Sequence, residues 1–251
     1  MTSTRLAIMT PSSNIVVEPA CARMVSALPG GSVHFARVEV LFIDNGKDSL
    51  AQFDDAPMHR ACTLLSHVRP DAIAWGGTSA SWLGLEWDRA LVERMAGIAG
   101  CPAVTSTLSI LEALRQLGIT RIGLVTPYVG AIQQRVIATV QSEGLDVVAE
   151  RHFAMSDNFS FGLVPETQIA EAIRDVVSEG AEAVVVLCTN LAGAGVAARI
   201  EQETGVPVLD SVTLTVWGAL RTIGRDTTLL EKWGPAVSRL PIPVQDGKDR
   251  D

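Results

Sequence analysis

The sequence is short of positive charge and of the residue groupings that mark several large functional classes. Lys and Arg number 20 against 28 Asp and Glu in 251 residues, a net charge of −8. That balance argues against nucleic acid and anionic membranes as partners. No apolar run approaches the ~20 residues that a membrane-spanning helix needs, and no basic stretch precedes an apolar one as in a secretory leader. The four cysteines, Cys21, Cys62, Cys101 and Cys188, lack paired close spacing. A disulfide framework and a zinc site are thereby disfavoured, and a reduced, cytoplasmic protein is expected. His34, His59, His67 and His152 fall at no ligand or triad spacing, which leaves a Cys-His hydrolase without support. There is no Walker-type loop, and GGTSAS (76–81) is not a dinucleotide fingerprint.

What is present is a near-repeat. LAIMTPSSN (6–14) echoes IGLVTPYVG (122–130), DAIAWGGTS (71–79) echoes EAVVVLCTN (182–190), and CPAVTSTLSILEALRQLG (101–118) echoes VPVLDSVTLTVWGALRTIG (206–224). The order is the same in both halves. With 47% hydrophobic residues the chain can bury a substantial core, and the repeat divides it into two lobes. An N-terminal lobe is expected over 1–117, with part of the C-terminal segment packing back on it. A second lobe is expected over 118–237, and a flexible tail over 238–251. Continuous apolar runs at 5–9, 33–41, 71–75, 102–105, 121–125, 146–150, 182–187 and 206–209 read as parallel strands buried on both faces. Helical patterns intervene at 106–117, 128–143, 165–178 and 191–204. The expected fold is α/β, with two pseudo-symmetric lobes on parallel sheets and a site in the cleft between them.

In such sheets ligands bind beyond the carboxyl ends of the strands. The segments there are TPSSN, GGTSAS, TSTLS, TPYVG, SDNFSFG, CTNLAG and DSVTL. They supply hydroxyls, amides and N–H groups with almost no cations, a lining suited to carboxylates. The same residue types serve as ordinary helix N-caps. Recurrence at matched positions favours binding. Cys188 is the sharpest single candidate, because it follows AVVVL at an expected strand end before a helix, where N–H groups can lower a thiol pKa. Its counterpart in the first half is Gly77. The acidic pair Asp54-Asp55 reads as a helix cap or an interface feature and not a base, and Trp75, Trp82 and Trp87 read as packing of the first lobe, with Trp82 at the pocket border.

On TPSSN, GGTSAS, TPY, DNFSFG and CTN the chain resembles the aspartate/glutamate racemase superfamily, in the branch of maleate cis-trans isomerases and arylmalonate decarboxylases. The resemblance spans roughly 5–225. It implies two α/β lobes around a cleft, no cofactor and no metal. Racemases and maleate isomerases of that family carry a cysteine after each matched strand. This chain has Cys188 at the second place and Gly77 at the first, as the decarboxylases do. The resemblance then implies that Thr78, Ser79 and Tyr128, with Thr189 and Asn190, hold a carboxylate, and that Cys188 donates a proton. Asn14 and Asn158 instead resemble carboxylate-binding positions of the maleate isomerases. The expectation is a decarboxylase of a small disubstituted malonate-like acid. It works through an enediolate held in a dioxyanion hole and protonated by one cysteine. Alternatives are a maleate-type isomerase and a non-catalytic binder of small acids. The expected partner is a small carboxylate or dicarboxylate, and the apolar content permits a homo-oligomer.

Overall fold

The computed structural model describes residues 3–242 apart from 47, 48 and 50. Its eight strands are β1 (Thr4–Pro11), β2 (Gly31–Val38), β3 (Ala72–Trp75), β4 (Ala103–Thr105), β5 (Arg121–Tyr128), β6 (Asp146–Met155), β7 (Ala183–Val186) and β8 (Val208–Asp210). They form two four-stranded sheets, ordered β2-β1-β3-β4 and β6-β5-β7-β8. All six pairings are parallel. The sequence repeat is thus a repeat of topology. The central strands explain the uninterrupted apolar runs: AIAW in β3 and AVVV in β7 are buried at every position, because helices cover both faces of a parallel sheet.

The symmetry extends to single hydrogen bonds. Ser106 Oγ donates to the carbonyl of Trp75 at 3.2 Å, and Ser211 Oγ donates to the carbonyl of Val186 at 2.5 Å. Each serine opens the helix after its lobe's last strand, Ser106–Leu117 and Ser211–Thr222. Thr105 caps the first helix by accepting from Leu108 N, and Asp210 caps the second by accepting from Val212 N and Thr213 N. These two helices pack on one another, and Ser211–Thr222 also contacts β3 and β4 of the opposite sheet. Ser106 Oγ lies 2.6 Å from Thr215 Oγ1 across that seam.

Three differences from the sequence reading have local causes. The strand expected at 33–41 ends at Val38, because the following residues cross to the second lobe. There Ile43 N donates to the Ser156 carbonyl and Asn158 N to that of Leu41. The helix expected at 191–204 is a 3-10 turn at Gly193–Gly195 and a helix at Ala197–Thr204. Gly193 and Gly195 disfavour a regular helix, and Gly193 lies so close to Asp210 that an added Cβ would sit 2.6 Å from Oδ2. Tyr128, read at a helix start, ends β5 beside a register shift at Pro127. Of the expected tail, Ser238 is buried at the end of the short helix Pro235–Ser238; 243–251 lie outside the described residues. Among the described residues no helix is long and apolar enough to cross a membrane.

Candidate active site

The carboxyl ends of the central strands face each other across the seam between the lobes, and the site residues gather there. Thr78 follows β3 in the first lobe. Its Oγ1 is 2.9 Å from the hydroxyl of Tyr128, which ends β5 in the second. Tyr128 in turn hydrogen-bonds the Cys188 thiol. The backbone N–H of Asn190 donates to Cys188 Sγ at 3.4 Å. Asn14, after β1, donates from Nδ2 to Thr189 Oγ1 at 3.2 Å, and Thr189 Oγ1 donates to the Gly76 carbonyl at 3.0 Å. Two polar chains therefore cross the seam, one from Asn14 through Thr189 to Gly76 and one from Cys188 through Tyr128 to Thr78.

Asn158 and Asn190 close the ring. Asn158 Nδ2 donates to Ser13 Oγ at 2.7 Å and lies 3.4 Å from the Val40 carbonyl. Asn190 Oδ1 accepts from Ile15 N at 2.9 Å, while its Nδ2 donates to the Asn158 carbonyl at 2.5 Å. Asn14, Thr78, Ser79, Tyr128, Asn158, Cys188, Thr189 and Asn190 are all buried. Several of these groups also hold local backbone: Asn14 Oδ1 accepts from Val16 N and Val17 N at the start of the helix Val17–Val25. Asn14 is thus both cap and interlobe donor, so the two readings of such residues are compatible.

Ser79 differs from the rest, because its Oγ accepts from Trp75 Nε1 at 3.1 Å. Accepting that bond leaves the Ser79 O–H free to donate elsewhere. Trp82 packs edge-on against Phe53, and its Nε1 is buried without a partner.

Burial pushes the Cys188 thiol from 9.0 up to about 12, against the opposing pull of Asn190 N–H, the Tyr128 hydroxyl and Leu191 N–H; nearby Asp210 adds to the rise. This corrects the expectation of a lowered thiol pKa. The residues after Cys188 form a turn instead of a helix N-terminus, and desolvation dominates. The buried thiol therefore holds its proton at neutral pH. Burial likewise raises the Tyr128 hydroxyl well above 10.0, so it stays a donor.

Two buried carboxyls were not singled out from the sequence, although one of them opens the DSVTL segment. Asp210 is fully buried beside this cluster, and burial raises it to about 6. Asp88 is fully buried in the first lobe, accepts from Thr105 Oγ1, and is raised by burial to about 7. Asp88 could have been found: it falls on the buried stripe of Leu85, Leu91 and Met95 in the helix Leu85–Ala99, where a carboxylate is out of place. Arg37 was also missed. It donates from Nη1 to the carbonyls of Ser12 and Asn14 and pairs with Glu18 at 2.9 Å, bracing the loop that carries Asn14. Among the described residues no group of three or more His, Cys, Asp or Glu could hold a metal.

The fold is a two-lobed α/β protein in which buried amides, hydroxyls and the Cys188 thiol meet across the seam between the halves, with the Asp210 carboxyl beside the thiol. The model of the arylmalonate decarboxylase family matches residues 33–232, and the chain belongs to that family. The maleate isomerase of Nocardia farcinica is 26% identical over 226 residues, 87% of this chain and 90% of that protein. A cysteine-to-serine variant of that isomerase, with a covalently bound succinylcysteine intermediate, superposes with a TM-score of 0.84 at 24% identity, covering 95% of this chain and 99% of its own. The arylmalonate decarboxylase of Bordetella bronchiseptica is 26% identical over 151 residues, 59% of this chain and 63% of that protein. The protein is thus an enzyme of the maleate isomerase and arylmalonate decarboxylase family. Sequence similarity extends further along the isomerase than along the decarboxylase, so the comparisons favour the isomerase alternative over the decarboxylase expected first.

Proposed function

We propose that the chain is a cis-trans isomerase of a small unsaturated dicarboxylate, with Cys188 as its acting thiol. The observation that carries this reading is the neutral ring around Cys188. Buried amides and hydroxyls come from both lobes: Asn14, Thr78 and Ser79 from the first, Tyr128, Asn158, Thr189 and Asn190 from the second. A dicarboxylate offers negative charge at both ends, and a ring with donors on two sides matches it.

In the proposed reaction Sγ bonds to one alkene carbon and the π bond breaks. Its electron pair moves toward the other carbon and that carbon's carboxylate. The thiol proton passes to the same carbon. The former double bond is now single and rotates. The reverse step then returns the proton and breaks the S–C bond, releasing the trans isomer. The nucleophile is sulfur without its proton, so that proton must leave Sγ as the S–C bond forms, and its arrival on the neighbouring carbon balances the addition. The Tyr128 hydroxyl, held by Thr78, steadies sulfur as its proton leaves. Excluding water strengthens each of these contacts.

A second reading has its own support. Gly77 stands where the first lobe would carry a thiol, and a buried, protonated Cys188 suits protonation of an enediolate. Loss of CO2 from a malonate, with carbon protonated by Cys188, is that reaction. Incubating the protein with maleate, methylmalonate and phenylmalonate, followed by proton NMR and CO2 detection, separates the two. Fumarate without gas supports the isomerase; CO2 with a single product enantiomer supports the decarboxylase. Tight binding with no turnover of any of them would leave a binding protein.

A further inference from the structure

The two lobes differ most where their symmetry would otherwise be closest. Gly77 lies two residues beyond the last position of β3, Trp75, and Cys188 lies two beyond the last position of β7, Val186. The large side chain is thus paired with glycine and the small one with cysteine. The pairing is steric. A Cβ built on Gly77 would meet the Trp75 indole at 2.5 Å from Cε2, 2.5 Å from Cζ2 and 2.8 Å from Nε1. Contacts that short force a neighbour to move. The indole has little freedom to do so: it is 1% exposed, and its Nε1 donates to Ser79 Oγ at 3.1 Å. In the other lobe the matching place before Cys188 is held by the smaller Val186.

We infer that Trp75 is the specificity-determining residue that holds this cleft to one thiol: its indole occupies the space that any side chain at position 77 requires. Gly77 is then more than a lost cysteine. Acquiring a second thiol, and with it chemistry on both faces of a substrate, requires a small residue at 75 first. The same indole fixes the Ser79 hydroxyl as a donor, so the residue that blocks one function orients another.

The test is a cycle of four proteins: wild type, Gly77→Cys, Trp75→Val and Trp75→Val/Gly77→Cys. Trp75→Val copies the arrangement of Val186 and Cys188. Thermal melting is read for each, with alkylation of the new thiol by iodoacetamide located by peptide mass. Gly77→Cys alone should lower Tm by about 5 °C or more, the scale of an overpacked core in a chain of this size. In the Trp75→Val background the same cysteine should cost less than about half of that. If Gly77→Cys does not fold, Gly77→Ala supplies the same Cβ at lower bulk and the cycle is run with it. Equal cost with and without the indole, or a Gly77→Cys protein as stable as wild type, overturns the inference. A second arm rests on the isomerase reading. Maleate conversion should rise by at least about tenfold on adding the cysteine to Trp75→Val, and should not rise on adding it to wild type. A rise in Gly77→Cys alone also overturns the inference. If no protein of the four converts maleate, the isomerase reading falls and the melting cycle still decides the role of Trp75.

Discussion

Replacing Asp88 with asparagine should flatten the pH dependence of this protein's stability. The Asp88 carboxyl is fully buried; Oδ2 accepts from Thr105 Oγ1, and Oδ1 has no hydrogen bond of good geometry. Burial raises it from 3.8 to about 7, against the opposing effect of the Thr105 and Thr107 hydroxyls. The folded protein therefore holds this proton more tightly than the unfolded chain does. Its contribution is fully present below about pH 4 and is lost as pH rises toward about 7. The gap between the two values corresponds to roughly 4 kcal/mol of stability removed across that window. An amide in place of the carboxyl cannot ionise, so the Asp88→Asn variant escapes the loss. A protein of this size shifts by about 2–4 °C per kcal/mol. The difference in Tm, variant minus wild type, should thus climb by about 10 °C between pH ~4 and pH ~8. Thermal melts by circular dichroism across that range measure it directly. Asp210, also raised by burial, is present in both proteins and drops out of the difference. A Tm difference that stays constant with pH would mean that Asp88 is not held neutral by burial, and the reasoning would fail.

Two further outcomes follow from the cleft. Tyr128→Phe removes the hydroxyl that joins Thr78 to Cys188; turnover should fall by about 10- to 100-fold, while Tm drops by several degrees for the two lost hydrogen bonds. Gly162→Ala introduces a Cβ that would overlap Ile15 Cγ1 and lie 3.0 Å from Asn190 Oδ1, which pries apart the interlobe bond from Ile15 N to Asn190 Oδ1. Tm should fall by several degrees for overpacking at this scale, with KM raised, and an unchanged Tm and KM would count against a clamp at that point.

The repeat was legible because parallel strands buried on both faces leave continuous apolar runs, and because the two halves kept the same strand order. The candidate site was nameable from the sequence only as a set of loop segments, since ligands in such sheets collect at strand ends. Their partners were not. Asn14 and Thr189 are 175 residues apart, and nothing local in TPSSN says which residue of the other lobe its amide will meet. Trp75 read correctly as packing, yet its effect on position 77 is a matter of ångströms between side chains. The direction of the Cys188 shift was missed for a similar reason. Position in the chain pointed to a helix N-terminus, whereas the glycines after Leu191 make a turn, and burial outweighs the hydrogen bonds from Asn190, Tyr128 and Leu191. Asp88 was hidden in an otherwise ordinary amphipathic helix; only its place on the apolar stripe marked it.

The most direct measurement is conversion of maleate by the purified protein beside its Cys188→Ala variant, followed by proton NMR with intact-mass analysis of quenched samples. Removing a thiol that bonds to substrate should cost at least about a thousandfold in rate. The expected result is growth of the fumarate signal with the native protein only, with a succinyl adduct on Cys188 in the quenched sample. A variant that converts maleate at the native rate, or a native protein that leaves maleate untouched while releasing CO2 from a malonate, would contradict the assignment of this cleft as a single-thiol isomerase.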